Sequence, residues 1–150
     1  MHANEIDATM ICFNYYRDEA TERMPRILDE YDENSMVETV RQHVIDYNSA
    51  WFNALEGQRV VGFVAGYLSA CPWNRKILTA NISFIFLLPS HRNMDNFRDL
   101  LTSFTGWAKN CSATEITAGD IGIDVERSEK LYTHLGFKPI LLMSKDLSNE

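Results

Sequence analysis

The spacing of apolar residues changes near Trp51 and divides the chain into a helical first third and a strand-rich remainder. Before the change, Ile6, Met10 and Phe13, with Ile11 beside them, recur at helical intervals. A second helix is predicted to open at Ser35, with Val37, Val40, Val44 and Ile45 on one side. Glu38 follows Ser35 by three residues, the spacing of a capping box. The acidic stretch from Leu28 to Asn34 is then the connection between the two helices.

From Trp51 the residues favour strands. Trp51 to Leu55, the turn Glu56-Gly57-Gln58 and residues 59–70 predict an antiparallel hairpin. Gly62 and Gly66 lie inside its second strand, where a glycine marks a bulge, a close backbone approach or simple tight packing. After the turn at Cys71-Pro72-Trp73-Asn74, a strand is expected over residues 77–88. Its run from Ile82 to Leu88 is apolar at nearly every position, as in a strand covered on both faces, and Pro89 ends it.

A strongly periodic helix follows, because Phe97, Leu100, Leu101, Phe104, Trp107, Ala108 and Cys111 recur at three- and four-residue spacing. Asn93 suits its N-cap and Asp95 its positive dipole end. A short strand from Glu115 to Ala118 comes next. It precedes a helix that turns Val125, Leu131 and Leu135 inward and stops at Gly136, a left-handed C-cap. The last strand is expected at Ile140 to Met143.

This order implies an α/β fold: a mixed antiparallel and parallel sheet of about five to six strands flanked by four helices. With 150 residues, 45% of them apolar, the chain can bury one substantial core, so a single domain is expected over 1–150. Within it, 1–50 would be the helical acidic part and 51–150 the sheet. Nothing has the length and apolarity of a membrane span, and residues 1–10 show neither a basic flank nor an apolar signal run. Cys12, Cys71 and Cys111 are widely spaced and form no metal or redox pair, which fits reduced thiols in the cytoplasm.

The net charge of −7 disfavours a nucleic-acid partner. All of it lies in residues 1–50, where eleven acids face four arginines, while residues 51–150 balance. An acidic half beside a neutral one attracts cationic ligands or a basic protein face, unless it serves only as a solvated surface.

Two stretches carry a family likeness. Residues 84–101 read as strand, Pro turn, Arg and amphipathic helix, and residues 126–140 contain Leu-Tyr-x-x-x-Gly-Phe. In this order and spacing the chain resembles the GNAT superfamily of N-acetyltransferases over residues 59–143. The resemblance implies acetyl-CoA as cofactor, with strand backbone at Phe86, Leu87 and Leu88 on its pantetheine arm. It also implies a pyrophosphate cradle formed by Arg92, Asn93, Met94, Asp95, Asn96 and Phe97. A helix N-terminus supplies unpaired N–H donors and about half a positive charge for such a ligand. The family pattern there is Gln/Arg-x-x-Gly-x-Gly/Ala. This chain keeps the Arg and replaces both glycines, by Asp95 and Phe97. A carboxylate about 5 Å from a phosphate is repelled by roughly 1 to 3 kcal/mol at intermediate effective dielectrics.

Among catalytic groups, Tyr132 matches the family tyrosine that protonates the departing thiolate, and it equally suits a packed core position. The carboxylate that many members carry on the central strand is absent, since Ala80, Asn81, Ile82 and Ser83 occupy that region. Asp120 and Asp124 are the nearest candidate bases in sequence, and His91 is a further candidate in the loop. No Cys/His/Asp spacing resembles a metal site.

Two functions fit. One is acetyl transfer from acetyl-CoA to a cationic amine such as a polyamine, an aminoglycoside or a lysine side chain. The other is a catalytically degenerate GNAT fold that binds a basic protein as inhibitor or regulator. No membrane partner is implied, and a monomer and a homodimer fit equally.

Overall fold

A computed structural model describes residues 3–119 and 125–140, which fall into two compact units, Met1–Gly119 and Asp120–Glu150. The first unit begins with helix α1 (Ala3–Arg23), the short helix α2 (Arg26–Glu30) and helix α3 (Glu33–Ile45). α2 overlaps the start of the stretch expected as the connection, Leu28 to Asn34. α1 buries Met10, Phe13 and Ala20, one helical face, and Ile11 lies off that face and is 64% exposed.

α3 starts earlier than Ser35. The carboxylate of Asp32 accepts from Ser35 N–H at 2.7 Å, so Asp32 is the N-cap and Ser35 the third helical residue. The expected capping box therefore does not form, and Glu38 instead accepts from Gln42. Met36 and Val40 are the buried residues of α3. That face continues through His43, whose ring meets Trp51 edge-on at 5.9 Å, which leaves Val44 and Ile45 exposed.

Strands β1 (Ser49–Glu56), β2 (Arg59–Cys71) and β3 (Asn74–Leu87) form an antiparallel meander, to which β4 (Ala113–Thr117) adds parallel to β3. The sheet order is β1-β2-β3-β4. Between β3 and β4 run a short 3-10 turn at Pro89–His91 and helix α4 (Met94–Asn110). Between its register shifts the sheet alternates side chains from one face to the other. Phe63, Phe84 and Phe86 join Met10, Phe13, Val40 and Trp51 beneath α1 and α3, while Val64, Ile85 and Leu87 join Leu100, Phe104 and Ala108 beneath α4. The expectation of a two-faced β3 holds.

Gly66 answers the question posed by its strand. A Cβ there would lie 2.0 Å from the Asn81 carbonyl oxygen, and the register slips by one residue at this point, so that Ser83 is the extra residue of a bulge in β3. Close approach and bulge occur together.

In the second unit, helix α5 (Val125–His134) ends in a Schellman motif. Gly136 takes φ +89°, its N–H bonds to the Thr133 carbonyl at 3.1 Å, and the Phe137 N–H bonds to the Tyr132 carbonyl at 3.0 Å. The rings of Tyr132 and Phe137 close the motif with centroids 5.2 Å apart. Ile140 lies outside any strand and is 74% exposed, and residues 141–143 of the expected last strand lie outside the described residues. The sheet thus has four strands among the described residues.

Candidate active site at the end of β3

The pairing of β3 with β4 stops at Asn81 and Thr117, whereas β3 runs on to Leu87. Beyond Asn81 the edge of β3 turned away from β2 has no partner strand among the described residues. Which groups it presents follows from two bonds. The Leu68 N–H bonds to Asn48 on the β1 side and the Leu88 N–H bonds to Val61 O at 2.9 Å, so odd-numbered β2 residues bond toward β3. Phe63 is opposite Phe86 and Ala65 opposite Phe84, which commits the backbones of Phe84 and Phe86 and the Leu88 N–H to β2, while the Leu88 carbonyl accepts from the His91 N–H. The Ile85 N–H and C=O and the Leu87 N–H therefore face the fork, the open edge of β3 past the end of β4 at Thr117, while the Leu87 C=O accepts from Arg92 Nε at 2.8 Å.

A polar network floors the fork. The Asn81 side-chain amide donates to Ser69 Oγ at 2.9 Å and to the carbonyl of Thr79, and its oxygen accepts from Thr117 Oγ1 at 2.8 Å. A carboxamide in this position orients neighbours and takes up no proton.

At the top of the fork, the residues expected to cradle pyrophosphate come together at the junction of β3 and α4, but helix begins sooner than a cradle loop would suggest. Asn93 is the N-cap, its side chain accepting from Asn96 N–H at 2.8 Å. The Phe97 N–H bonds to the Asn93 carbonyl. The cap leaves the N–H groups of Met94 and Asp95, at the first two helical positions, for another acceptor. The Asp95 side chain is 87% exposed and pairs with Arg98 at 3.0 Å. Phe97 turns inward, packed with the core beneath α4. The Asn96 side chain braces the His91 carbonyl at 2.8 Å.

Arg92 is held from three sides. Its Nε donates to the Leu87 carbonyl at 2.8 Å, its guanidinium lies over the Phe86 ring at 5.2 Å, and both terminal nitrogens meet the carboxylate of Glu19 on α1. Glu19 was not legible as a site residue, since 73 positions separate the pair and no local pattern links them. His91 joins Ser90 Oγ at 2.9 Å and faces Glu56 at 3.3 Å, tying the turn to the end of β1. Tyr132 belongs to the second unit, where it forms part of the α5 cap. Asp120 and Asp124 lie outside the described residues. Among the described residues no cluster of His, Cys, Asp and Glu could hold a metal ion.

A model of the Acetyltransferase (GNAT) family matches residues 12–137. No curated protein sequence matches the chain. Solved structures share its fold. The aminoglycoside N-acetyltransferase AAC(6')-Iy, in complex with a bisubstrate analogue of CoA, superposes with a TM-score of 0.69 at 16% identity, over 97% of this chain and 95% of that one. A protein described as a predicted acetyltransferase from Clostridium acetobutylicum, with acetyl-CoA, gives 0.67 at 13% identity over 88% and 90%. A transcriptional regulator from Bacillus halodurans gives 0.66 at 19% identity over 75% and 74%.

Proposed function

The chain belongs to the acetyltransferase (GNAT) family, and on that premise we propose that it transfers the acetyl group of acetyl-CoA to a cationic amine. The single observation that carries the proposal is the fork, where the Ile85 N–H and C=O and the Leu87 N–H are not used by β4. An amide-bearing arm can bond there as a strand would. Acetyl-CoA, when bound, supplies the activated acyl group.

In this reading, the N–H groups of Met94 and Asp95 take the pyrophosphate at the positive end of α4, with Asn93, Asn96 and Phe97 fixing that helix start. The outward turn of Asp95 into water, beside Arg98, weakens the repulsion its charge would exert on phosphate. Arg92 borders the same site, and its guanidinium is shared between Glu19 and any phosphate that arrives. Phe86, Leu87 and Leu88 form the strand end that fixes the height of the arm. Tyr132 gives a phenolic proton to the thiolate as the thioester bond breaks, and Asp120 is the candidate base for the ammonium of the acceptor. The acidic surface of residues 1–50 draws in the cation. A cytoplasmic setting agrees with free Cys12, Cys71 and Cys111, and no described helix is long and apolar enough to cross a membrane.

The test is thiol release from acetyl-CoA in the presence of a polyamine, an aminoglycoside or a lysine peptide. At least one of these should accelerate release, and Tyr132→Phe should slow it by about a hundredfold or more. Release that no amine accelerates would remove the transferase reading. A GNAT neighbour with a cofactor analogue and an aminoglycoside moiety bound supports the choice of the aminoglycoside arm.

A further inference from the structure

The opposite edge of the sheet carries a second opening. Strand β1 is an edge strand, with no partner on its outer side among the described residues. A cleft of about 910 Å³ runs along it, walled by Glu5 and Ala8 of α1, His43 and Val44 of α3, and Trp107 of α4. Its floor includes consecutive residues Ser49, Ala50, Trp51, Phe52 and Asn53. Neighbouring strand residues face opposite sides of a sheet, so a cleft lined by all of them is centred on the strand's edge. Helices from both layers border it.

The edge groups can be assigned. The Leu68 N–H bonds to Asn48 O, and the β1–β2 register runs unbroken from Ser49 opposite Tyr67 to Ala54 opposite Gly62. Ala50, Phe52 and Ala54 therefore bond inward to β2, and Ser49, Trp51 and Asn53 aim their backbone groups outward. The Ser49 N–H is taken by the Asp46 carbonyl at 3.1 Å. The backbones of Trp51 and Asn53 remain as a two-residue pairing template.

Two acceptors stand among the lining residues, on His43 and Glu5. His43 Nδ1 lies 2.8 Å from the Thr39 carbonyl and must carry the proton there, because a carbonyl only accepts. In the neutral ring its buried Nε2 is then an acceptor, and it has no hydrogen-bond partner. Glu5 adds a carboxylate, and α1 and α3 belong to the segment holding the whole net charge of −7. An occupant rich in donors and positive charge complements this wall. A second copy of the chain would bring the same negative helices against it.

We propose that the β1 edge binds an extended cationic peptide segment, which adds to the sheet as a strand paired with Trp51 and Asn53. This site is separate from the β3–β4 fork and does not depend on catalysis. The probe is an acetylated and amidated hexapeptide alternating lysine and valine, titrated into the intact protein while amide hydrogen exchange is followed by NMR. Binding should slow exchange at Trp51 and Asn53 by about tenfold or more at saturation. Replacing lysine by glutamate, or N-methylating the peptide amides on its β1-facing edge, should weaken binding at least about tenfold. Val44→Lys, at a position 39% exposed, should weaken it similarly while leaving acetyl-CoA binding unchanged. Equal affinity for the N-methylated peptide, or unaltered exchange at Trp51 and Asn53, overturns the proposal. So does protection of those amides without peptide, whether it depends on protein concentration, as a second copy would require, or is lost on deletion of residues 141–150.

Discussion

Gly66→Ala tests the closest approach in the sheet. The new Cβ would stand 2.0 Å from the Asn81 oxygen and 2.8 Å from Phe104 Cζ, where ordinary contact begins at 3.4 Å. The oxygen belongs to the backbone of a strand paired on both sides, so β2 and β3 must part by about 1.4 Å. Overpacking typically destabilises by about 1–3 kcal/mol, and a clash with paired backbone belongs at or above the top of that range. At a urea slope near 2 kcal/mol per molar, the unfolding midpoint should fall by about 1.5 M. Gly106→Ala is the control, because nothing lies within 4 Å of its Cβ and it sits in α4, where alanine should stabilise by about 0.5–1 kcal/mol. Tryptophan fluorescence in urea reports both. A Gly66→Ala midpoint within about 0.3 M of the parent would refute the reasoning.

Glu19→Gln removes the charge that holds Arg92. The half-buried pair, with side chains 34% and 24% exposed, should lose about 1–2 kcal/mol of stability, while the released guanidinium tightens acetyl-CoA binding several-fold. Weaker binding in calorimetry would show that Glu19 positions Arg92 rather than competing for it. Cys12 is buried and its thiol is pushed up to about 11, so at pH 8 about one part in a thousand is thiolate. Iodoacetamide should label Cys71 and Cys111 well before Cys12, as read by peptide mass spectrometry. Because this pKa is raised on folding, the associated stability is full below about pH 9 and is lost as pH rises toward 11. Asp32 is held below the usual carboxylate range by its bond to Ser35, so its contribution is present at neutral pH and lost as pH falls through its folded pKa. Asp32→Asn keeps a cap without that titration, and its stability difference from the parent should shrink between pH 7 and pH 3 in urea unfolding.

The periodic core was open to sequence reasoning. The spacing of Leu100, Phe104 and Ala108 and the unbroken apolar run through Phe84, Ile85, Phe86 and Leu87 each specify a core-facing surface, and the structure buries Leu100, Phe104, Ala108, Phe86 and Leu87 and packs the half-buried Phe84 and Ile85 against them. Helix starts were harder, since Asp32 and Ser35 both suit an N-cap and only the backbone path decides which accepts the N–H. Long-range polar pairs left no trace in local pattern. Glu19 meets Arg92, and Thr117 meets Asn81, because the topology carries them together. The slot beside β1 was hidden for a related reason. A strand's own residues specify its faces, while whether its edge is covered depends on what the rest of the chain leaves there.

The central claim is that the fork beyond Asn81 and the start of α4 hold acetyl-CoA despite Asp95 and Phe97. Titration of the purified protein with acetyl-CoA in a calorimeter, with amide shifts followed in parallel, tests it most directly. Saturable binding at micromolar concentration, with shifts at Ile85, Leu87, Met94 and Asp95, is the predicted result. Absence of heat and of shifts at millimolar acetyl-CoA would contradict the account.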